Sequence, residues 1–186
     1  TTSATTVTSA SDTTVEILEK LRPAFRKEGG SVTAGNSSGL NDGSAALLLA
    51  NESGLSSSGL TPLAQIISSA VVGVEPRIMG IGPVRASEIA LKRAGITFDD
   101  LDVIELNEAF SAQALACIRA WGLDDDDSRI NPNGGGISIG HPLGVTGSRI
   151  LLAAARQLER TGGKYGLVTL CIGVGQGYAV VIKNTQ

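Results

Sequence analysis

From about residue 61 onward, short apolar runs alternate with helical patterns, and glycines stop nearly every run. That alternation constrains the fold more than any other feature. Ala64–Val74 is an apolar, β-branched run. Pro83–Ala94 has helical spacing through Val84, Ile89, Ala90 and Ala94, with Gly95 as its stop. Leu101–Leu106 reads as a short strand and Glu108–Trp121 as a helix ended by Gly122. Ile137–Ile139 opens a third unit, whose helix runs through Ile150–Leu158 and stops near Gly162. Tyr165–Cys171 and Tyr178–Ile182 close the chain. The order βαβαβαββ predicts an α/β domain with a mostly parallel five-stranded sheet and helices on both faces. The Gly-rich turn CIGVGQG makes the last two strands an antiparallel pair.

The residues before this unit read differently. Residues 1–12 are Ser/Thr-rich with little to bury, and are expected to be disordered or a surface arm. A short helix follows, capped by Thr13 or Thr14, with Val15, Leu18 and Leu21 on one face and Pro23 near its end. The stretch SVTAGNSSGLNDGSAALLLA leads into an Ala/Leu run that suits a buried strand or a helix equally.

Aromatic residues make up only 3% of the chain, so its core is built from Ala, Leu, Ile and Val. A formal charge of −3 supplies no basic field for nucleic acid. No apolar run reaches the roughly 18 residues needed to span a bilayer. Two cysteines are too few for a disulfide framework, so a reducing compartment is expected, with no secretion signal at the first residues.

Three turns concentrate reactive groups, the last two of them beside glycines: Asn107-Glu108-Ala109-Phe110, Gly140-His141-Pro142-Leu143-Gly144 and Cys171-Ile172-Gly173-Val174-Gly175. At the C-terminal ends of parallel strands they would share the edge where open α/β sheets bind ligands. His141, the only histidine, is a structural residue or, in this exposed turn, a proton carrier near neutral pH. Cys171 is a small core residue or a thiol activated by the turn amides. Cys117, inside QALACIRA, reads as core. Asn107 either caps the following helix or uses its amide to position a water or polarise a carbonyl. The run Asp124–Asp127 reads as a solvated turn rather than a metal site. No phosphate-loop or dinucleotide fingerprint is present.

Together, NEAF at 107–110, NPNGGGISIGHPLGVTGSR at 131–149 and CIGVGQG at 171–177 resemble the thiolase family in order and spacing. KLRPAF at 20–25 and VTAGNSSGLNDGSAALLL at 32–49 match the segment that precedes them in that family. The resemblance implies two similar βαβαβαββ halves, with a loop domain inserted in the first. Residues 1–38 would be the tail of that loop domain, 39–60 the last strand of the N-terminal domain and a linker, and 61–186 the C-terminal domain. It further implies acyl transfer through a cysteine thioester in reversible thiolysis and Claisen condensation of 3-ketoacyl-CoA. His141 would activate the nucleophile, Cys171 would move the α-carbon proton, and Asn107, through a water, would form one oxyanion hole with His141. The Gly173 N–H would serve a second hole. Phe25 and Ser38 match positions lining the coenzyme A site, and Phe110 lies near its acyl end. Coenzyme A and acyl-CoA are then substrates, and no metal or tightly bound cofactor is needed.

The nucleophilic cysteine of the family lies in the N-terminal half, and no residue here matches it. The resemblance therefore implies a partner half, in the same or a separate chain, and a homodimer or homotetramer in the complete enzyme. The isolated chain is expected to be inactive. Its compartment is expected to be cytoplasm, mitochondrion or peroxisome. Other readings are an inactive coenzyme A-binding or interaction module, and a cysteine hydrolase using a Cys171–His141 dyad. The closing stretch QLERTGGKYGLVTLCIGVGQG leans toward degradative thiolases, including 3-oxoadipyl-CoA ones.

Overall fold

The computed structural model describes residues 13–186, so the expectation for residues 1–12 lies outside the described residues. The elements are α1 (Val15–Glu19), α2 (Glu52–Ser58), β1 (Ala64–Gly73), α3 (Gly82–Ala94), β2 (Val103–Leu106), α4 (Ser111–Ala120), α5 (Gly136–Ile139), α6 (Thr146–Thr161), β3 (Tyr165–Ile172) and β4 (Gln176–Asn184). Three 3₁₀ turns, at Ala34–Asn36, Pro76–Ile81 and Phe98–Asp100, complete the set among the described residues.

The sheet has four strands in the order β1-β4-β3-β2. β4 runs antiparallel to both β1 and β3, and only β2 and β3 are parallel. The α/β layering is as expected, but the sheet is four-stranded and mixed rather than five-stranded and mostly parallel. The difference arises at Ile137–Ile139, expected as a strand and found as the helical turn α5.

The neighbouring place beside β2 is taken by residues 129–131 instead. The Ile104 N–H donates to the Arg129 carbonyl (2.8 Å), and the Asn131 N–H donates to the Ile104 carbonyl (2.9 Å). One rung further, the Asn131 side chain stands in for a backbone. Its Oδ1 accepts from the Leu106 N–H and its Nδ2 donates to the Leu106 carbonyl, both at 2.9 Å. Asn131 has φ +46°, a left-handed conformation that asparagine tolerates and that turns the chain out of the sheet. Asn131→Ala removes both side-chain rungs and should lower the midpoint of chemical denaturation by the equivalent of about 1–2 kcal/mol.

Alternation along the strands splits the core in two, because successive side chains point to opposite faces. On one face Leu167, Ala179, Val181 and Ile104 pack with Ala86, Ala90 and Leu91 of α3. On the other, Val103, Val168, Val180 and Ile182 pack with Ile150, Ala154 and Leu158 of α6. α4 adds Ala114, Cys117 and Ile118 around Leu106. At the start of α3 the backbones of Gly82 and Gly177 approach so closely that a Cβ on either would collide with the other's main chain.

Thr14 caps α1 through its side chain. The helix predicted from Glu108 begins only at Ser111, because the chain bends at Ala109 and Phe110 is extended. Phe110 forms an antiparallel bridge with Ser37, and the Ser38 N–H donates to the Ala109 carbonyl at 3.0 Å. Residues 39–50, expected as a strand, have no ladder, and Leu40, Leu48 and Leu49 are exposed. A strand needs neighbours, and no strand of this sheet pairs with them. No helix among the described residues is long and apolar enough to cross a membrane.

Candidate functional site

β2 and β3 are parallel, so both of their C-terminal ends open on one edge. Asn107 leaves β2 there, its N–H donating to the Thr169 carbonyl at 3.0 Å. Cys171 lies two residues further along β3. The capping role considered for Asn107 does not occur: the residue at the cap of α4 is Phe110, without a side-chain bond. Instead Asn107, 1% exposed, places Nδ2 3.4 Å from His141 Nε2. Its Oδ1 is buried and unpartnered.

The turn carrying His141 is held from three sides. Glu108 bridges the preceding loop, accepting from Asn131 Nδ2 (2.8 Å) at one oxygen and from the Ile137 N–H (3.2 Å) at the other. The His141 N–H donates to the Gly39 carbonyl and to Asn41 Oδ1, each at 3.2 Å. On the imidazole itself, Nδ1 lies 2.7 Å from Thr146 Oγ1. The half-buried ring has its pKa lowered from the usual histidine value, first by burial and then by the nearby Arg149 cation. It is therefore neutral at neutral pH and available as a base.

Cys171 is buried, and burial pushes its thiol up, partly offset by a backbone hydrogen bond at the same residue. Gly173 sits in the β3–β4 turn, where a Cβ would meet open space. Gly175 in that turn has φ +96°, and a Cβ there would strike the Val74 carbonyl. Val74 also donates to the Gly175 carbonyl at 2.8 Å, which fastens the turn to the end of β1. Cys117 is fully buried among α4 residues, its thiol pushed up to about 11 chiefly by burial. In the acidic run, Asp125 pairs with Arg119 and Asp127 with Arg129.

The three residues singled out for coenzyme binding come together. Phe25 and Phe110 meet edge to face, ring centroids 5.7 Å apart at 88°, a favoured aromatic geometry. Ser38 is fixed beside them by its bond to Ala109. Phe25 remains 73% exposed, so this aromatic surface is open to a ligand.

Sequence reasoning missed four participants: Asn41, Thr146, Glu105 and Arg149. Glu105 stands inside the apolar strand VIEL, and a lone acid in such a run was the available signal. It is buried, with Oε1 unpartnered, and burial raises it to about 7; Arg149 opposes that rise and Glu108 adds to it. Arg149 likewise has buried, unpartnered guanidinium nitrogens. Because the folded state binds the Glu105 proton more tightly, this group makes stability fall as pH rises from about 4.5 to about 7. Glu105→Gln should remove that component, read as a flatter dependence of melting temperature on pH across this window.

The geometry can be set beside known proteins. The family model "Thiolase, C-terminal domain" matches residues 60–184, and "Thiolase, N-terminal domain" matches residues 2–53. This chain belongs to the thiolase family, whose members are acyltransferases. It is 54% identical over 173 residues to the 3-oxoadipyl-CoA/3-oxo-5,6-dehydrosuberyl-CoA thiolase of Escherichia coli K12, covering 93% of this chain and 43% of that protein. It is 56% identical over 172 residues to a beta-ketoadipyl-CoA thiolase of Acinetobacter baylyi, covering 92% and 43%. Among solved structures, human mitochondrial 3-ketoacyl-CoA thiolase superposes with a TM-score of 0.91 at 49% identity, over 96% of this chain and 45% of that one. The same human enzyme has been solved in complex with CoA. This thiolase chain thus spans under half the length of the relatives it matches.

Proposed function

We propose that this chain forms the C-terminal catalytic half of a 3-ketoacyl-CoA thiolase, which cleaves its substrate with coenzyme A or runs the reverse condensation. The observation that carries the reading is the Asn107–His141 pair at the edge where Cys171 ends β3. In the proposed cycle, neutral His141 takes the thiol proton of a cysteine supplied by the N-terminal half. That cysteine attacks the ketone carbon of the 3-ketoacyl-CoA. The bond between the α- and β-carbons breaks, the shortened acyl group stays on the cysteine, and the electron pair passes into an acetyl-CoA enolate.

An enolate oxygen is stabilised by donors already aimed at it, and the Asn107 amide and protonated His141 supply such donors. Cys171 returns a proton to the enolate carbon. Its raised pKa keeps a proton available for that delivery and makes its thiolate a strong base in the condensation direction. Coenzyme A then takes the acyl group from the nucleophilic cysteine. Phe25, Ser38 and Phe110 would bind the coenzyme. The relatives named for 3-oxoadipyl-CoA and beta-ketoadipyl-CoA support a dicarboxylic acyl chain as the first substrate to try.

The test is a thiolysis assay with acetoacetyl-CoA and 3-oxoadipyl-CoA, on the chain alone and joined to a thiolase N-terminal half, with native mass measured in parallel. Activity is expected only in the joined form. Turnover by the chain alone would overturn the assignment of the nucleophile. Coenzyme A binding without turnover in the joined form would favour a binding module.

A further inference from the structure

We propose that Thr146 is a positioning residue: it locks His141 in the tautomer protonated on Nδ1 and so aims the Nε2 lone pair at Asn107 and the reacting groups. The catalytic part of this inference rests on the thiolase reading; the tautomer does not. Thr146 is fully buried at the first turn of α6. Its hydroxyl has a single proton, and Oγ1 lies 3.1 Å from the Pro142 carbonyl, which accepts it. The same carbonyl receives the Val145 N–H (2.8 Å) and the Thr146 N–H (2.9 Å), so the hydroxyl and the turn are fixed together.

With its proton committed, Oγ1 turns a lone pair toward the imidazole nitrogen 2.7 Å away, and Nδ1 must donate. The other end of the ring agrees. Asn107 presents Nδ2, a donor only, to Nε2, which must then carry the lone pair. Donor and acceptor roles thus run in one direction: Asn107 amide, His141 Nε2, His141 Nδ1, Thr146 hydroxyl, Pro142 carbonyl. A proton arriving on Nε2 makes an imidazolium whose Nδ1–H is already bonded to a neutral oxygen. Thr146 therefore holds the ring without adding a negative charge, and His141 keeps its lowered basicity.

His141 is the only histidine, so ¹⁵N-histidine labelling reports one imidazole. Two-bond ¹H–¹⁵N correlation spectra of the full chain above the His141 pKa are expected to show Nδ1 protonated and Nε2 bare. Thr146→Val should move the population toward the Nε2–H form, and Thr146→Ser should restore the wild-type pattern. In the joined enzyme, Thr146→Val should lower kcat about tenfold or more with little change in KM, because the base is misdirected rather than removed. Serine should rescue it. An Nε2–H imidazole in the wild type overturns the proposal, and that spectrum decides even if the valine variant does not fold. An unchanged tautomer in folded Thr146→Val also overturns it. A locked tautomer in a joined enzyme without thiolase activity supports the positioning role and overturns only the thiolase reading.

Discussion

Replacing His141 with alanine in the joined enzyme should lower turnover by about two orders of magnitude or more, equivalent to about 2.7 kcal/mol of transition-state stabilisation. Two roles are lost together. The base that takes the thiol proton disappears, and so does one of the two donors proposed for the enolate oxygen. The loss should appear in kcat more than in KM, since neither role binds the coenzyme. Asn107, 1% exposed and 3.4 Å from Nε2, would remain as the lone donor. Measured kcat within threefold of wild type would remove His141 from the chemistry.

Replacing Cys171 with alanine should separate the two half-reactions. Condensation, and exchange of α-protons from acetyl-CoA, should fall about a hundredfold or more, because each needs a group that moves the α-carbon proton. Acylation of the partner half's cysteine by acetyl-CoA, followed by mass, should persist at a rate close to wild type. The expected asymmetry reflects position. Cys171 lies at the end of β3, whereas activation of the nucleophile belongs to His141. Equal losses in both half-reactions would show that Cys171 supports the site as a whole and does not act as the proton carrier.

How far these features were legible in the sequence varied with how local their causes were. Gly95, Gly122 and Gly162 all adopt the left-handed conformation at helix ends, and each reads in the sequence as a stop. That signal is intrinsic to the residue. Ile137-Ser138-Ile139 reads as a strand from its apolar residues alone, but the place beside β2 is held by residues 129–131, with the Asn131 side chain on the last rung. Residues 39–50 have a strand's composition, but a strand also needs neighbours. In the site, His141 announced itself as a polar residue in a glycine-flanked turn, and Asn107 as a polar residue where an apolar strand gives way to a helix. Thr146 did not, because a threonine opening a helix looks like ordinary helix-start chemistry. Its meaning depends on the imidazole 2.7 Å away.

The bonds from Asn41 and Gly39 to the His141 backbone have a bearing on how the molecule is assembled. Asn41 and His141 are 100 positions apart, so their contact closes a loop containing β1, α3, β2 and α4. Contacts of such span carry a larger closure entropy than those inside local helices and hairpins. The histidine turn is therefore fastened only once this loop has closed. The entropic toll of closure grows with the logarithm of loop length, about 0.6 kcal/mol for each doubling. Extra residues inserted in the exposed connector at residues 59–61, between α2 and β1, would hardly weaken the fastening, whereas cutting the connector would turn the closure into an association of two separate chains.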